Sequence, residues 1–297
     1  MVDEASTGYN VHPRGDREEM LQAMGLSSTE DLFAQVPAGI RLQRPLNLPA
    51  PLSEWALQKR LRGLAEKNET VLSKLSFLGG GAYEHYIPAV VHAIASRGEY
   101  LTAYTPYQPE MSQGLLRMLH DFQIVMGRLL GLPKVNSSVY DGATALAEGA
   151  WMCCSIKGAR RLAVSEGIWP EWRTVLETYM GGRGVTLDWV PLDGTTGETS
   201  RSQLQAVLAK ERHAGFLFQT PNRLGIMEPS RVLIETAHRQ EALVQASCNP
   251  LMLACAQSPG EQGADIVSCE AQPLGLALNA GGPYLGAMAT RPEYQKF

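Results

Sequence analysis

The chain has no block of basic residues, no long apolar run and no cluster of metal-ligating side chains, and each absence removes a class of function. Lysine and arginine number 26 against 30 aspartates and glutamates, a formal net charge of −4, so nothing in the charge pattern points to nucleic acid. No apolar stretch approaches the length of a membrane span. Asp3, Glu4, Arg14, Asp16, Arg17, Glu18 and Glu19 crowd the start of the chain and leave no room for a signal-peptide core. The cysteines, Cys153, Cys154, Cys248, Cys255 and Cys269, are odd in number and form no CxxC pair or Cys/His cluster. They read as buried free thiols in a reducing, cytoplasmic compartment rather than as a structural zinc site or any other metal site. The glycines at 79–81 lack both the GxGxxG register and a Walker lysine, which excludes a nucleotide fingerprint.

The 297 residues, 44% hydrophobic and 19% charged, suffice for one large α/β domain or two smaller ones. Residues 1–102 read as a helical N-terminal arm ending in a glycine-rich segment. A short helix is expected over Asp16–Met24, a second over TEDLFAQV behind Ser28 and ending at Pro37, and a longer one capped by Ser53. Between them Arg41–Pro51 reads as an extended, proline-rich tether. Trp55, Leu57, Leu61 and Leu64 share a face of the third helix, and this arm has too little core to fold alone, so it is expected to wrap another surface. In FLGGGAYEHYIP the glycine triplet permits positive φ or a close backbone approach, and Pro88 suits the start of a helix through Val90, Val91 and Ile94.

Residues 103–297 read as a larger α/β domain. It opens on AYTPYQPEMSQG, where the steps Thr105-Pro106 and Gln108-Pro109 stiffen a loop rich in tyrosine and amide groups. Such a loop either packs its tyrosines on the following helix or presents polar groups at fixed angles. Leu115, Leu119, Phe122, Met126 and Leu129 then mark one face of a helix over Ser112–Leu130, stopped by Gly131 and Pro133. Asp141 is a good N-cap for an alanine-rich helix over Gly142–Cys154, whose start is either an anion site or an ordinary packed helix end. From Leu162 onward strands alternate with helices: strands over 162–165, 185–192, 215–219, 242–247, 266–269 and 284–289, helices over 169–180, 202–210 and 231–238. This alternation predicts a mainly parallel sheet covered on both faces, with ligands beyond the strands' carboxyl ends at Thr220–Gly225, Cys248–Pro250 and Glu270–Gly275. An enzyme of this class that uses pyridoxal phosphate needs a lysine and an acid near those ends. No lysine occurs between Lys210 and Lys296, and Ser247, Cys248 and Asn249 offer no acid.

Taken together, FLGGGAYEHYIP, AYTPYQPEMSQG, YDGATALAE, QTPNRLG, GADIV and GGPYLGAMAT resemble the glycine dehydrogenase (decarboxylating) family over roughly residues 5–297, and more narrowly its subunit 1, the α chain of the split P-protein of the glycine cleavage system. The resemblance implies a fold-type-I pyridoxal-phosphate transferase-like large domain, and a smaller C-terminal domain beyond Phe297, so that the chain would be a C-terminally truncated form, inactive alone. It implies glycine dehydrogenase (aminomethyl-transferring) activity within an α/β complex: glycine and the lipoyl H-protein give carbon dioxide and the aminomethylated H-protein. The partners implied are the β subunit, which carries the cofactor lysine, the H-protein and glycine. Gln272 and Pro273 stand where the cofactor subunit would carry a His-Lys pair, and Asn249 near the missing acid, so no catalytic residue is assigned within this chain. In SCEAQPLG and NAGGPYLG, cysteine and asparagine replace expected small residues.

Carried over position by position, Tyr104, Thr105, Tyr107, Gln108 and Glu110, with Gln113 behind them, are implied contributors to a shared glycine and cofactor site. Tyr83, Glu84 and His85 are secondary candidates, although a lone histidine is more often packed or at the surface. Tyr140, Asp141 and Thr144 mark a vestigial phosphate pocket, in which Asp141 could equally be a helix cap; Pro221 and Asn222 read as loop-shaping. The competing hypothesis is a cofactor-free structural or regulatory subunit that contributes assembly or H-protein docking only.

Overall fold

A computed structural model of the chain describes residues 14–42 and 44–297; Gln43, within the proline-rich tether, lies outside the described residues. Cα packing divides the chain into two units, up to residue 69 and from 70 to 297.

The first unit carries helices α1 (Arg14–Ala23) and α2 (Glu54–Ala65). The Ser53 hydroxyl accepts the Ala56 N–H at 3.4 Å and so caps α2 as its sequence predicts. The expected helix over TEDLFAQV is instead a single 3-10 turn at Thr29–Phe33. The reason is local. The Asp31 carboxylate reaches back to the backbone N–H groups of Ser27 at 3.0 Å and Ser28 at 2.8 Å, which tightens the first turn. Pro37 then denies the segment the length an α-helix needs.

The second unit begins with α3 (Ala89–Ala95), α4 (Gly98–Leu101) and α5 (Gln113–Leu130). Gly131 closes α5 at φ 76°, a left-handed cap that suits glycine. Strands β1 (Lys134–Val135), β2 (Arg161–Ser165), β3 (Thr186–Val190), β4 (Gly215–Thr220), β5 (Leu243–Cys248), β6 (Ile266–Glu270) and β7 (Gly286–Thr290) form one sheet. Helices α6 (Gly142–Lys157), α7 (Pro170–Gly181), α8 (Arg201–Lys210) and α9 (Ser230–His238) connect them. The strand order is β1-β7-β6-β5-β4-β2-β3. Strands β3, β2, β4, β5 and β6 run parallel, and β7 and β1 close the sheet antiparallel. The two-residue β1 is an element the sequence does not announce, because two residues carry no alternation to read.

Every residue of β4, β5 and β6 is buried, as expected of central parallel strands. Alternate residues sort to opposite faces. Phe216, Phe218, Val244, Ala246 and Val267 pack with Met126 and Leu130 of α5, Leu204 of α8, and Leu233 and Ile234 of α9. Leu217, Leu162, Val164, Leu243 and Ile266 pack with Leu146 and Ala150 of α6 and with Trp172 and Leu176 of α7. The all-parallel centre and its two helical layers direct the carboxyl ends of β4, β5 and β6 to one rim. Among the described residues no helix is long and apolar enough to cross a membrane. Four of the cysteines are buried and free; Cys255 is free but exposed, because it follows a 3-10 turn at the rim rather than a strand, which departs from the expectation of uniformly buried thiols.

At the opposite end of β2 and β3, Asp188 accepts from Arg161 Nη1 at 2.7 Å and pairs with His213 Nε2 at 2.8 Å. Burial pushes this carboxyl up, but the arginine and histidine bound to it outweigh burial and hold it below its ordinary value of 3.8. A depressed native pKa means that its contribution to stability is complete above the unfolded value and is lost as pH falls through the folded one. Asp188→Asn is therefore expected to lower Tm at neutral pH, with the gap to the wild type closing as pH drops below about 4. Melting both proteins across that range checks this, and a gap that stays constant would show that the ion pair is not what Asp188 contributes.

Candidate functional site

The rim above β6 is built around the start of α6. Asp141 adopts an extended backbone, and its Oδ1 accepts both the N–H and the hydroxyl of Thr144 at 2.7 Å. The Gly142 N–H donates instead to Glu270 Oε2 at 2.8 Å, from the last residue of β6. The other oxygen of Glu270 accepts from the Gln272 N–H at 2.9 Å and the Leu285 N–H at 3.1 Å. Glu270 is 6% exposed. Burial pushes its carboxyl up, the three backbone donors pull it down, neighbouring Asp141 pushes it up again, and the balance lies above the usual carboxylate value. Of the implied phosphate residues, then, Asp141 and Thr144 are joined in the helix cap, while the Tyr140 ring is 79% exposed.

The approach of Glu270 to the helix requires a residue without a side chain at 142. A Cβ there would lie 2.5 Å from the Trp172 ring and 2.8 Å from Glu270 Cβ. The same tryptophan receives the glycine triplet: Gly81, at φ 97°, would bring a Cβ to 3.2 Å from Trp172 Nε1. That contact sets FLGGGAYEH over the rim.

Gln272 fastens the segment. Fully buried, it accepts the Tyr83 N–H at 3.0 Å and donates to the Tyr83 carbonyl at 3.1 Å and to the Leu276 carbonyl at 2.7 Å. The Tyr83 carbonyl also takes His85 Nδ1 at 3.1 Å. A carbonyl can only accept, so Nδ1 carries the hydrogen and donates it. Nε2 is buried with no partner among the described residues. Burial also raises the Tyr83 phenol. The structure thus brings Tyr83, His85, Gln272 and the α6 cap into one assembly, with Pro273 buried in the adjoining turn and Glu84 exposed.

The loop at 103–114 is not part of it. Its hydrogen bonds are local, Tyr104 N to the Thr102 carbonyl at 3.1 Å and Tyr107 N to the Thr105 carbonyl at 2.8 Å, and Pro109–Met111 forms a 3-10 turn. Tyr104 is 93% and Tyr107 82% exposed; Thr105, Gln108, Glu110 and Gln113 are exposed as well. Asn222 is buried and shapes the β4 loop, donating to the Gly197 carbonyl and to Glu228 Oε1, both at 2.9 Å, beside Pro221. Asn249 caps the turn after β5 by accepting the Leu251 N–H at 3.0 Å. Among the described residues no group of histidine, cysteine and carboxylate side chains could hold a metal ion. Sequence reasoning marked Glu270 as the start of a candidate ligand segment but gave it no role of its own. Its signal was an acid ending the otherwise uncharged strand IVSCE, at a carboxyl end already marked for ligands.

The family model described as Glycine cleavage system P-protein matches residues 9–297. The protein named "Probable glycine dehydrogenase (decarboxylating) subunit 1" in Moorella thermoacetica is 45% identical over 278 residues, covering 94% of this chain and 61% of that protein. Its namesake in Oceanobacillus iheyensis is 42% identical, covering 95% of this chain and 62% of that protein. The chain thus spans about three fifths of these relatives. A crystal structure of glycine decarboxylase (P-protein) of the glycine cleavage system, in inhibitor-bound form, superposes with a TM-score of 0.87 at 41% identity, over 96% of this chain and 63% of that one. A sphingosine-1-phosphate lyase of Burkholderia pseudomallei shares the fold at a TM-score of 0.62 and 12% identity.

Two substitutions test the assembly. Gly142→Ala must displace either the Trp172 ring or Glu270, at an expected cost of about 1–3 kcal/mol in denaturant unfolding. Gln272→Ala strands the Tyr83 N–H and leaves the Tyr83 carbonyl only His85 Nδ1, with a similar loss of roughly 1–3 kcal/mol and faster proteolytic cleavage within residues 77–86. Unchanged cleavage would mean that Gln272 does not hold that segment.

Proposed function

The chain belongs to the glycine cleavage system P-protein family, and from that membership we propose that it is the half of a two-chain glycine decarboxylase that lacks the cofactor lysine. In this reading the partner chain binds pyridoxal phosphate on its own lysine, and the two chains together act on glycine and the lipoyl H-protein. The observation that carries the reading is the end of β6. Glu270, Gln272 and Pro273 stand there, no lysine occurs from 211 to 295, and the Glu270 carboxylate takes the first N–H of α6, that of Gly142. The cofactor therefore does not fit this chain's own strand-end pocket, which offers neither an amine for a covalent bond nor a free anion cradle. What remains for the shared site is outward-facing: Tyr104, Thr105, Tyr107, Gln108 and Glu110 on a loop stiffened by two prolines, with Tyr83 and His85 clamped at the rim. The polar groups of the loop are free to meet a substrate held by another chain. In this reading the two chains work together in the cytoplasm.

The test is reconstitution with a lysine-bearing partner chain. Tyr107→Phe and Glu110→Gln are expected to lower glycine decarboxylation by about 10- to 100-fold while the two chains still co-elute. Unchanged kcat and KM would leave assembly or H-protein docking as this chain's role. The isolated chain, mixed with pyridoxal phosphate and reduced with borohydride, is expected to give no adduct within its core; a stoichiometric adduct there would sink the division of labour between the chains.

A further inference from the structure

Helix α6 runs for 16 residues, and the N–H groups at its start would ordinarily attract an anion from solution. Here they meet two carboxylates of the same chain. Asp141 holds the Thr144 N–H at 2.7 Å, and Glu270 reaches the Gly142 N–H at 2.8 Å across 128 residues of sequence. Glu270 has no cation beside it among the described residues. Its partners are the backbone N–H groups of Gly142, Gln272 and Leu285. A buried carboxylate without a counter-ion is a poor choice for a purely structural contact, because a neutral side chain avoids its desolvation. It suits a place where the fold itself demands negative charge. Two close approaches make that place. Gly142 has no room for a side chain against Glu270 Cβ and Trp172, and a Cβ on Gly286 would run into the Asp141 carbonyl.

We propose that Glu270 is a built-in anion that takes the position of a bound phosphate at the start of α6 and closes this chain's own strand-end pocket to inorganic phosphate and to phosphorylated cofactors. The carboxylate accepts one hydrogen bond from the helix through Oε2 and two from the flanking segments through Oε1, as the oxygens of a phosphate would. A phosphate dianion entering beside it would face both Glu270 and Asp141. The proposal concerns this chain alone and holds or fails independently of the glycine chemistry, so a failed reconstitution assay leaves it standing.

The experiment uses the full chain, the wild type and Glu270→Ser, titrated with inorganic phosphate against chloride at matched ionic strength and read by thermal shift and equilibrium dialysis. Wild type is expected to show no phosphate-specific shift. Glu270→Ser is expected to melt lower without phosphate, to recover with it, and to bind phosphate at least about tenfold tighter than wild type. A variant that folds only in phosphate supports the proposal equally. Stoichiometric phosphate binding by wild type overturns it, as does a folded Glu270→Ser with the wild-type phosphate response. A variant that stays unfolded at every phosphate concentration also overturns it, since a phosphate that cannot replace the carboxylate is not what the carboxylate stands in for. Pyridoxal phosphate as a second probe separates room for the anion alone from room for the whole cofactor.

Discussion

The architecture of the rim depends on one carboxylate finding backbone donors in a place without cations. Glu270 ends a strand whose every residue is buried, so its charge has no water to turn to. Hydrogen bonds to charged groups contribute roughly 1.5–3 kcal/mol each, and Glu270 collects them from three separate segments: the start of α6, the turn after β6 and the approach to β7. It thereby ties a helix, a turn and the antiparallel strand β7 together. Once the turn after β6 is set, the Gln272 side chain has a fixed origin from which to clamp Tyr83, 189 residues earlier in the chain. Tyr83 in turn orients His85. The sequence of causes runs from strand end to helix cap to clamp to imidazole, and each step is a hydrogen bond to a backbone group.

The legible part of this molecule is the part governed by local periodicity. The alternation of strands and helices from Arg161 onward, the face of α5, the Ser53 and Asp141 caps and the glycine stop at Gly131 all follow from residues within a few positions of one another. The rim is not local. The partners Glu270 and Gly142, or Gln272 and Tyr83, have no pattern in sequence that joins them; only the closure of the sheet makes them neighbours. The same distinction explains the 3-10 turn at Thr29–Phe33, where a Ser28 cap and a stop at Pro37 suggested a helix and the Asp31 side chain decided otherwise. The loop motif at 103–114 was legible as stiff and polar, but which way it faces is a property of the folded chain.

That orientation divides the candidate residues into two kinds. Those at the rim have their hydrogen bonds satisfied internally, apart from the buried Nε2 of His85. Those on the loop, and their neighbours in sequence, do not. Leu72, Leu75, Phe77, Leu78 and Tyr104 are each more than 90% exposed, and Tyr86, Tyr107 and Met111 nearly as fully. Scattered exposed apolar residues are normal on any surface, but a run of such large ones through one stretch of chain is what a protein keeps when another surface covers it. A closed internal pocket beside an open, ring-studded loop is thus coherent in physical terms. A carboxylate that satisfies the helix from within removes the need for a ligand there, and a loop whose tyrosines find no partner at home has its contacts to make elsewhere. In the two-chain reading these are one fact seen twice: the half without the lysine keeps the fold's framework, fills the anion position with its own charge, and turns its polar and aromatic groups outward.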